Sequence, residues 1–357
     1  MLNRIKSLLP FKKQNNRIPI IKKREALEAL KTINRQPLNA FTFFKRLQTT
    51  SKSLDILEEK WWNVAGNLIE DVWGLPDDLC LAYRQEYVIR AKNFFLSDKK
   101  NVKILDLGCG TGWFGRIIAD ENIFYQGIDF SETQISIAKE KAKNIHNEKY
   151  LNYSQTTSIQ SIENIRDFDG IIINAFLHHL CKDELITLFN DIKQNFKSGT
   201  KIFIMEPVYP TNKRNSSTQI NDDANASIIN GMVDAVKNHA IKTNIFDTEK
   251  QILLSELINE SNENGFFFSP KEVPFDFQEI EELLLKYTQL QNYFYVGVND
   301  FTLLQMLSFV KDQAYRKKIV ETVFPFIKNL DKELLANEYY ANGTNNYIFT
   351  CFECILN

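Results

Sequence analysis

Two kinds of hydrophobic pattern divide the chain of 357 residues. Before Val102, apolar side chains recur every three or four positions, as at Leu57, Trp61 and Val64. This spacing is typical of amphipathic helices. From Val102 onward, short apolar runs alternate with amphipathic stretches. An alternation of strands and helices predicts an α/β fold, in which a mostly parallel sheet carries helices on both faces.

The last third of the chain continues this mixture of helices and strands. Residues 211–227 are polar and predict a loop. Aromatic and β-branched runs predict strands at 292–298 and 346–356. Helical spacing recurs in four stretches, which are 228–240, 248–260, 278–287 and 301–339. The sheet is therefore predicted to gain strands late in the sequence, between helical insertions.

A glycine-rich turn is the most distinctive motif. Residues 102–115 read VKILDLGCGTGWFG, in which an apolar strand ends at Asp106 and Gly108, Gly110 and Gly112 follow at alternate positions. Glycine allows a tight turn and a close approach of the backbone to a ligand, because no Cβ is in the way. The helix that follows offers unpaired N–H groups and the positive end of its dipole. The motif therefore predicts a ligand at this turn.

A nicotinamide or flavin oxidoreductase is one alternative for this motif. Gly110, Gly112 and Gly115 match the spacing of the dinucleotide fingerprint. That match begins late, because Asp106 and Gly108 already follow the strand. An acid is also poorly placed beside a pyrophosphate and well placed beside a cationic amino group. Both details disfavour a dinucleotide.

The run Asp106-x-Gly108-x-Gly110-x-Gly112 resembles motif I of the class I S-adenosylmethionine-dependent methyltransferases. Three further stretches look like the family's second strand, its fourth strand with the following loop, and its fifth strand; they are 125–129, 167–180 and 197–207. The resemblance covers residues 102–207 in the family's order. It implies a Rossmann-like, seven-stranded, mostly parallel and doubly wound sheet, with S-adenosylmethionine as the cofactor.

The resemblance also implies a set of cofactor contacts. Asp106 would bind the amino group of the cofactor, Asp129 its ribose hydroxyls, and Phe130 would lie against the adenine. The family's usual acid after the third strand is missing, and Gln155 or Thr156 would serve there as a neutral acceptor. The residues expected around the cofactor are Asp106, Gly108, Cys109, Gly110, Gly112, Asp129, Phe130, Thr156 and Asn174.

Two adjacent histidines are candidates for the chemistry. His178 and His179 follow the predicted fourth strand, at the edge where open α/β sheets bind ligands. A hydroxyl acceptor needs a general base. The resemblance favours His178 for that role, and Glu206, expected at the end of the fifth strand, is a second candidate. Either imidazole could instead be structural, and Glu206 could anchor the loop before Pro207.

The predicted function is O-methylation of a small-molecule, glycan or lipid-linked acceptor. The Asn174-Ala-Phe-Leu stretch lacks the prolines of methyltransferases that act on planar nitrogens. A methyltransferase for RNA or protein, or a non-catalytic cofactor-binding partner in an assembly, stays open. Trp61, Trp62 and Tyr83 are candidates for a lid over the cofactor or for the core.

These patterns divide the chain into five predicted segments. They are a basic arm at 1–24, a helical N-terminal region or lid at 25–100, a cofactor-binding core at 101–207, a lid or substrate insertion at 208–290, and final strands with a helical insertion at 291–357.

Charge adds one feature to this picture. Residues 1–24 hold eight basic side chains and no acid, while the whole chain has a net charge of −2, so the remainder carries −10. Such an acidic body disfavours nucleic acid as a partner. The arm is either a solvated tail or a segment that docks on an anionic membrane surface, at its periphery, or on an anionic substrate.

Cysteine usage and hydropathy indicate a cytoplasmic protein. Five cysteines in a long chain are typical of reduced thiols. No apolar run reaches the length of a membrane span, and we expect no signal peptide. Cys351 and Cys354 fall in a predicted strand, where such a spacing points to opposite faces. We therefore expect no metal site.

Overall fold

A computed structural model describes most of the chain. The described residues are 46–69, 77–156, 158–209, 219–263, 269–296, 299–336 and 348–357. The basic arm at 1–24 lies outside them, so its docking on a membrane stays a prediction. Within the described ranges, no helix has the length and apolar content that crossing a bilayer requires.

The described part of the chain contains eleven α-helices, four short 3-10 helices and eight strands. The strands are β1 Val102–Leu107, β2 Ile123–Asp129, β3 Leu151–Gln155, β4 Gly170–Asn174, β5 Lys201–Tyr209, β6 Phe275–Asp276, β7 Thr288–Tyr295 and β8 Ile348–Leu356. The helices before β5 are α1 Lys52–Ile69, α2 Asp77–Phe95, α3 Trp113–Ile118, α4 Glu132–Ala142 and α5 Lys182–Asn195. The later helices are α6 Gln219–Lys242, α7 Thr248–Glu263, α8 Phe277–Tyr287, α9 Asn299–Leu307, α10 Gln313–Thr322 and α11 Phe324–Ala336.

The strands form one mixed sheet. Its order is β3-β2-β1-β4-β5-β8-β7, and the two-residue β6 pairs with the end of β5. β1 to β5 pair in parallel, and β8 is antiparallel to both of its neighbours. The predicted α/β class and the mostly parallel sheet are confirmed, with the short β6 as an additional strand.

The late elements differ from their predicted bounds. The strand expected at 292–298 begins earlier, at Thr288, because β7 is an edge strand whose exposed polar residues give no apolar run. The polar stretch 211–227, expected to be a loop, becomes helical from Gln219. Neither element has the hydrophobic pattern in sequence that would identify it at these bounds.

Both faces of the sheet are buried, as a doubly wound arrangement requires. On β5, Phe203 belongs to one hydrophobic cluster and Ile202 to the other. Cys351 and Cys354 of β8 fall in these two different clusters in the same way. Their predicted orientation to opposite faces is confirmed, and the two thiols do not form a joint metal site.

Candidate active site

A cavity of about 590 Å³ opens at the carboxyl ends of the central parallel strands. This edge is where open α/β sheets bind ligands, because the loops after neighbouring strands meet there. Helix α1 lies over the cavity, contributing Lys52, Glu58 and Trp62 to its wall. The volume lies in the usual range for a small-molecule site.

The glycine turn after β1 lies in this wall, and its three glycines have different roles. All three have positive φ angles, between 54° and 72°. A Cβ on Gly108 would approach the ring of Phe176 to 2.6 Å, and one on Gly112 would approach Tyr153 to 2.4 Å. A Cβ on Gly110 would meet only the Gln134 side chain, at 3.8 Å. Gly110 therefore leaves its open side to a ligand, while the other two pack against rings.

Asp129 at the end of β2 completes this part of the wall. Its carboxylate accepts hydrogen bonds from the backbone N–H of Gly110 at 3.0 Å and of Ser131 at 2.8 Å. Ser131 in turn caps α4 by accepting from the N–H of Gln134 at 3.3 Å. The carboxylate thus ties the glycine turn to the next helix while lining the cavity, where the resemblance places the ribose.

Asp106 lies deeper than the resemblance implies. It is 1% exposed and does not line the cavity. The hydroxyl of Tyr125 donates to its Oδ2, and its Oδ1 has no hydrogen-bond partner. Burial raises the pKa of Asp106 to about 8. The carboxyl therefore lies beneath the turn, where a nearby cation would stabilise its ionised form.

Most of the other predicted cofactor residues line the cavity, and one lies behind its wall. Cys109, Phe130, Thr156 and Asn174 line the cavity. Gln155 does not, since its amide donates to the carbonyl of Phe130 at 3.1 Å. Of the two alternatives left open after the third strand, the structure brings Thr156 to the cavity.

Polar atoms in this wall and beneath it fit S-adenosylmethionine. Oδ1 of Asp106, Nε2 of Gln134 and Oδ1 of Asn174 are buried without a hydrogen-bond partner. Buried polar groups in proteins are nearly always satisfied, so such atoms indicate a polar ligand. The two acceptor oxygens, those of Asp106 and Asn174, suit the ammonium and sulfonium charges of the cofactor, and the Gln134 amide offers a donor. The open side of Gly110 gives the cofactor room.

The opposite part of the cavity is built around His178, which lies in the turn after β4. Its Nδ1 is 2.7 Å from Oε2 of Glu206. The other oxygen of Glu206 accepts from the backbone N–H groups of Phe176 at 2.8 Å and Leu177 at 2.7 Å. Burial, together with the charge of His179, lowers the pKa of His178, so that its imidazole is neutral.

Glu206 differs from its predicted position. It does not end the fifth strand, because β5 continues to Tyr209, and the carboxylate is fully buried and does not line the cavity. Burial raises its pKa to about 7. The structure places Glu206 behind His178, as the group that orients the imidazole and anchors the loop.

His179 is held by a second buried carboxylate, which the sequence analysis missed. Nδ1 of His179 lies 3.1 Å from Oε1 of Glu58 and 3.2 Å from Oγ of Ser269. Glu58 also accepts from the indole N–H of Trp62 at 2.8 Å and the backbone N–H of Lys271 at 2.9 Å. Burial opposes the charge on His179, but the hydrogen bond and charge of Glu58 outweigh it and raise the pKa of His179.

Arg46 is another residue that the sequence analysis missed. Its guanidinium donates to the carbonyl oxygens of Leu180 at 2.8 Å and Val273 at 2.7 Å, and to Glu279 at 2.9 Å. The N–H of Val273 also donates to the carbonyl oxygen of His178 at 2.9 Å. Arg46 therefore fixes the histidine turn against the segment that precedes β6. A lone arginine among helical residues gives no signal of such a role in the sequence.

The two N-terminal tryptophans have different positions, one in the cavity wall and one in the core. Trp62 lines the cavity and makes an edge-to-face contact with His179 at 5.5 Å between ring centroids. Trp61 is fully buried in the core. The side chain of Tyr83 lies outside the described part of the structure.

Comparisons with known proteins agree with this geometry. Residues 98–256 match the family model of a methyltransferase domain. A ubiquinone biosynthesis O-methyltransferase of Rickettsia typhi is 27% identical over 146 residues, which cover 40% of this chain and 56% of that protein. Its counterpart in Pelagibacter ubique is 27% identical over 148 residues, which cover 41% and 56%. The chain thus spans little more than half the length of these curated relatives.

Several solved structures are distantly similar to this chain. The [4+2]-cyclase SpnF is 14% identical with a TM-score of 0.48, over 88% of this chain and 98% of that one. The cyclopropane synthase MmaA2 of Mycobacterium tuberculosis is 13% identical with a TM-score of 0.45, over 81% and 97%. Likenesses at these TM-scores say nothing about the chemistry of this chain.

The sheet, the glycine turn and the matched family model together define the class of protein. Residues 98–256 belong to the class I S-adenosylmethionine-dependent methyltransferases. The cofactor of this domain is S-adenosylmethionine, as the motif at Asp106–Gly112 predicted.

Proposed function

We propose that this protein is an enzyme that transfers the methyl group of S-adenosylmethionine to an oxygen of a small-molecule, glycan or lipid-linked acceptor. The observation that carries the proposal is that one cavity contains both the glycine turn and the oriented, neutral imidazole of His178. The name of the matched relatives, which are O-methyltransferases, supports an oxygen as the acceptor atom.

The cofactor end of the cavity would position S-adenosylmethionine. S-adenosylmethionine supplies an electrophilic methyl group on its sulfonium. Gly110 gives the cofactor room and Asp129 offers its carboxylate to the ribose hydroxyls. Because methyl transfer is an in-line displacement, alignment of cofactor and acceptor contributes much of the rate.

The acceptor end of the cavity would remove the hydroxyl proton of the acceptor. With Glu206 accepting from Nδ1–H, the lone pair of His178 lies on Nε2. Burial keeps the imidazole neutral, so this lone pair is available at neutral pH. In the proposed reaction Nε2 would take the hydroxyl proton while the acceptor oxygen displaces the neutral thioether of the cofactor at the methyl carbon, so that the carbon–sulfur bond breaks as the carbon–oxygen bond forms. His178 then releases this proton to solvent when the product leaves.

The shape and charge of the cavity favour a small acceptor over a polymer. Helix α1 and Phe176 form part of its wall. Its charged wall residues include the carboxylates of Asp55, Glu59 and Glu184. An RNA methyltransferase needs a basic surface around its site, so these acids support the small-acceptor proposal.

Turnover of methyl-labelled S-adenosylmethionine against a panel of phenols and sugar hydroxyls tests the proposal. His178→Ala should lower turnover about 10²–10⁴-fold, the usual contribution of a general base. Its cofactor affinity, measured by titration calorimetry, should stay within a few-fold. His146→Ala, at an exposed histidine away from the cavity, is the matched control. Cofactor binding without turnover of any acceptor would instead favour a non-catalytic partner.

A further inference from the structure

Three side chains from two distant segments meet at the acceptor end of the cavity. They are His178 and His179, in the turn after β4, and Glu272, in the segment before β6. Each offers one ligand atom, and these atoms lie within 4.8 Å of one another. Nε2 of His178 is 3.9 Å from Oε1 of Glu272, which is too far for a hydrogen bond. The three side chains are therefore close together, and Glu272 does not form a hydrogen bond with His178.

The surroundings of the two imidazoles resemble those of metal ligands. A histidine that binds a metal usually donates its other ring N–H to a carboxylate, which fixes the tautomer and the ring orientation. Nδ1 of His178 lies 2.7 Å from Glu206, and Nδ1 of His179 lies 3.1 Å from Glu58. One nitrogen of each ring is therefore held by a buried carboxylate, and the other is left for a ligand.

The buried charge also favours a cation. Glu58, Glu206 and Glu272 are all buried around the two imidazoles. Desolvated carboxylates repel one another unless cations or hydrogen bonds compensate them. The nearby cations already have carboxylate partners: Arg46 pairs with Glu279, and Lys271 bonds to Asp55 and Glu184. Glu206 and Glu58 already accept hydrogen bonds, whereas Glu272 lies 3.9 Å from the nearest nitrogen of His178. A dication between Glu272 and the two imidazoles would offset the negative charge of Glu272.

We propose that His178, His179 and Glu272 bind a divalent transition metal of the zinc type. Two imidazole nitrogens and one carboxylate are a common ligand set for zinc, with the fourth position open to water or substrate. Ligand atoms at about 2.0–2.2 Å from a tetrahedral metal are about 3.4 Å apart. Small side-chain rotations would therefore close the present spacing. Neither the sequence spacing nor a motif signals this site, because Glu272 is far from the histidines in the chain.

The metal site has a consequence that rests on the proposed function. Metal and proton compete for the same lone pair on Nε2 of His178. A bound metal therefore prevents His178 from acting as a base, so metal should lower turnover and a chelator should restore it. Metal binding itself does not depend on turnover and is measured separately.

The test is a titration of the chelator-treated, full-length protein with Co²⁺ and with Zn²⁺. Co²⁺ should give visible absorption bands of a tetrahedral or five-coordinate site, and calorimetry should give one Zn²⁺ per chain with micromolar or tighter affinity. Glu272→Gln should weaken binding at least tenfold, and Glu206→Gln about 10–100-fold, as loss of an orienting partner does. Glu59→Gln, which changes another carboxylate of the cavity wall, should leave the affinity unchanged.

Thermal melting and cofactor affinity of each variant verify that it has folded. Absence of the Co²⁺ bands, or an affinity that Glu272→Gln leaves unchanged, would overturn the metal site. If no metal binds while turnover depends on His178, the proposed function stands alone. If metal binds in a Glu272-dependent way and raises turnover, the metal site stands and the base role of His178 is wrong.

Discussion

The two ends of the cavity are built in different ways. The cofactor end comes from consecutive elements, in which the turn after β1 and the end of β2 are joined by the bond from Gly110 to Asp129. The acceptor end collects His178, Glu58 and Glu272 from a turn, an N-terminal helix and a late segment. A local motif thus determines the cofactor, whereas long-range packing determines what the cofactor reacts with.

Their electrostatics differ as well. At the cofactor end, Asp106 is a buried carboxyl with an unpaired oxygen and a raised pKa. At the acceptor end, Glu206 and Glu58 are each satisfied by an imidazole and by backbone N–H groups. The unpaired oxygen of Asp106 needs a cationic ligand as its partner. The hydrogen bonds of Glu206 and Glu58 are already formed without a ligand. Variants at each end should therefore change different measurements.

The largest expected effect is that of Glu206→Gln at the acceptor end. The amide oxygen would keep accepting from Phe176 and Leu177, so the NH₂ group would face Nδ1 of His178. That donor reverses the tautomer and places the proton on Nε2. Turnover in initial-rate assays should fall about 10²–10⁴-fold, as for loss of the base, with unchanged cofactor affinity. Full turnover would show that orientation by Glu206 is not needed.

Gly112→Ala should have the next largest effect, on folding stability. The new Cβ would overlap Tyr153 and would strain a left-handed backbone, which together should reduce the free energy of unfolding by about 2–4 kcal/mol. Urea unfolding measures this loss. Gly110→Ala is the matched variant: with space around its Cβ, it should lose about 1–2 kcal/mol of stability but weaken cofactor binding. Equal stability losses would contradict the different roles of the two glycines.

Asp106→Asn should stabilise the protein without cofactor, by about 1–3 kcal/mol. The folded pKa of Asp106 is about 8, above the unfolded value of about 3.9. The folded state therefore binds the proton more tightly, and this contribution to stability is lost as pH rises from about 4 to about 8. Asparagine cannot ionise, so the advantage of the variant should grow across that window. Urea unfolding at several pH values measures it; an advantage independent of pH would argue against a neutral Asp106.

Asp129→Ala should show the smallest of these effects, confined to the cofactor end. Loss of the carboxylate should weaken S-adenosylmethionine binding at least tenfold, equivalent to about 1.4 kcal/mol. Calorimetry measures the affinity, and turnover at saturating cofactor should be largely retained. Binding of NADH in place of S-adenosylmethionine by the unmodified protein would overturn the assignment of the cofactor.

The sequence by itself determined the sheet's parallel part and the cofactor end. Apolar runs mark β1, β2, β4 and β5 because strands buried on both faces need them. The glycines after β1 mark the turn because only glycine adopts those angles cheaply. The order of these motifs along residues 102–207 was sufficient for the class of methyltransferase.

Only the tertiary structure decided the acceptor end. Glu58, Glu272 and Arg46 are ordinary polar residues in the sequence, and nothing local distinguishes them from surface residues. Their roles come from packing of α1 and the segment before β6 against the histidine turn, which buries these side chains away from water. Glu206, a candidate base in the sequence, is buried by the same packing, and its oxygens accept hydrogen bonds from backbone N–H groups of the loop. It therefore orients His178 and does not reach an acceptor.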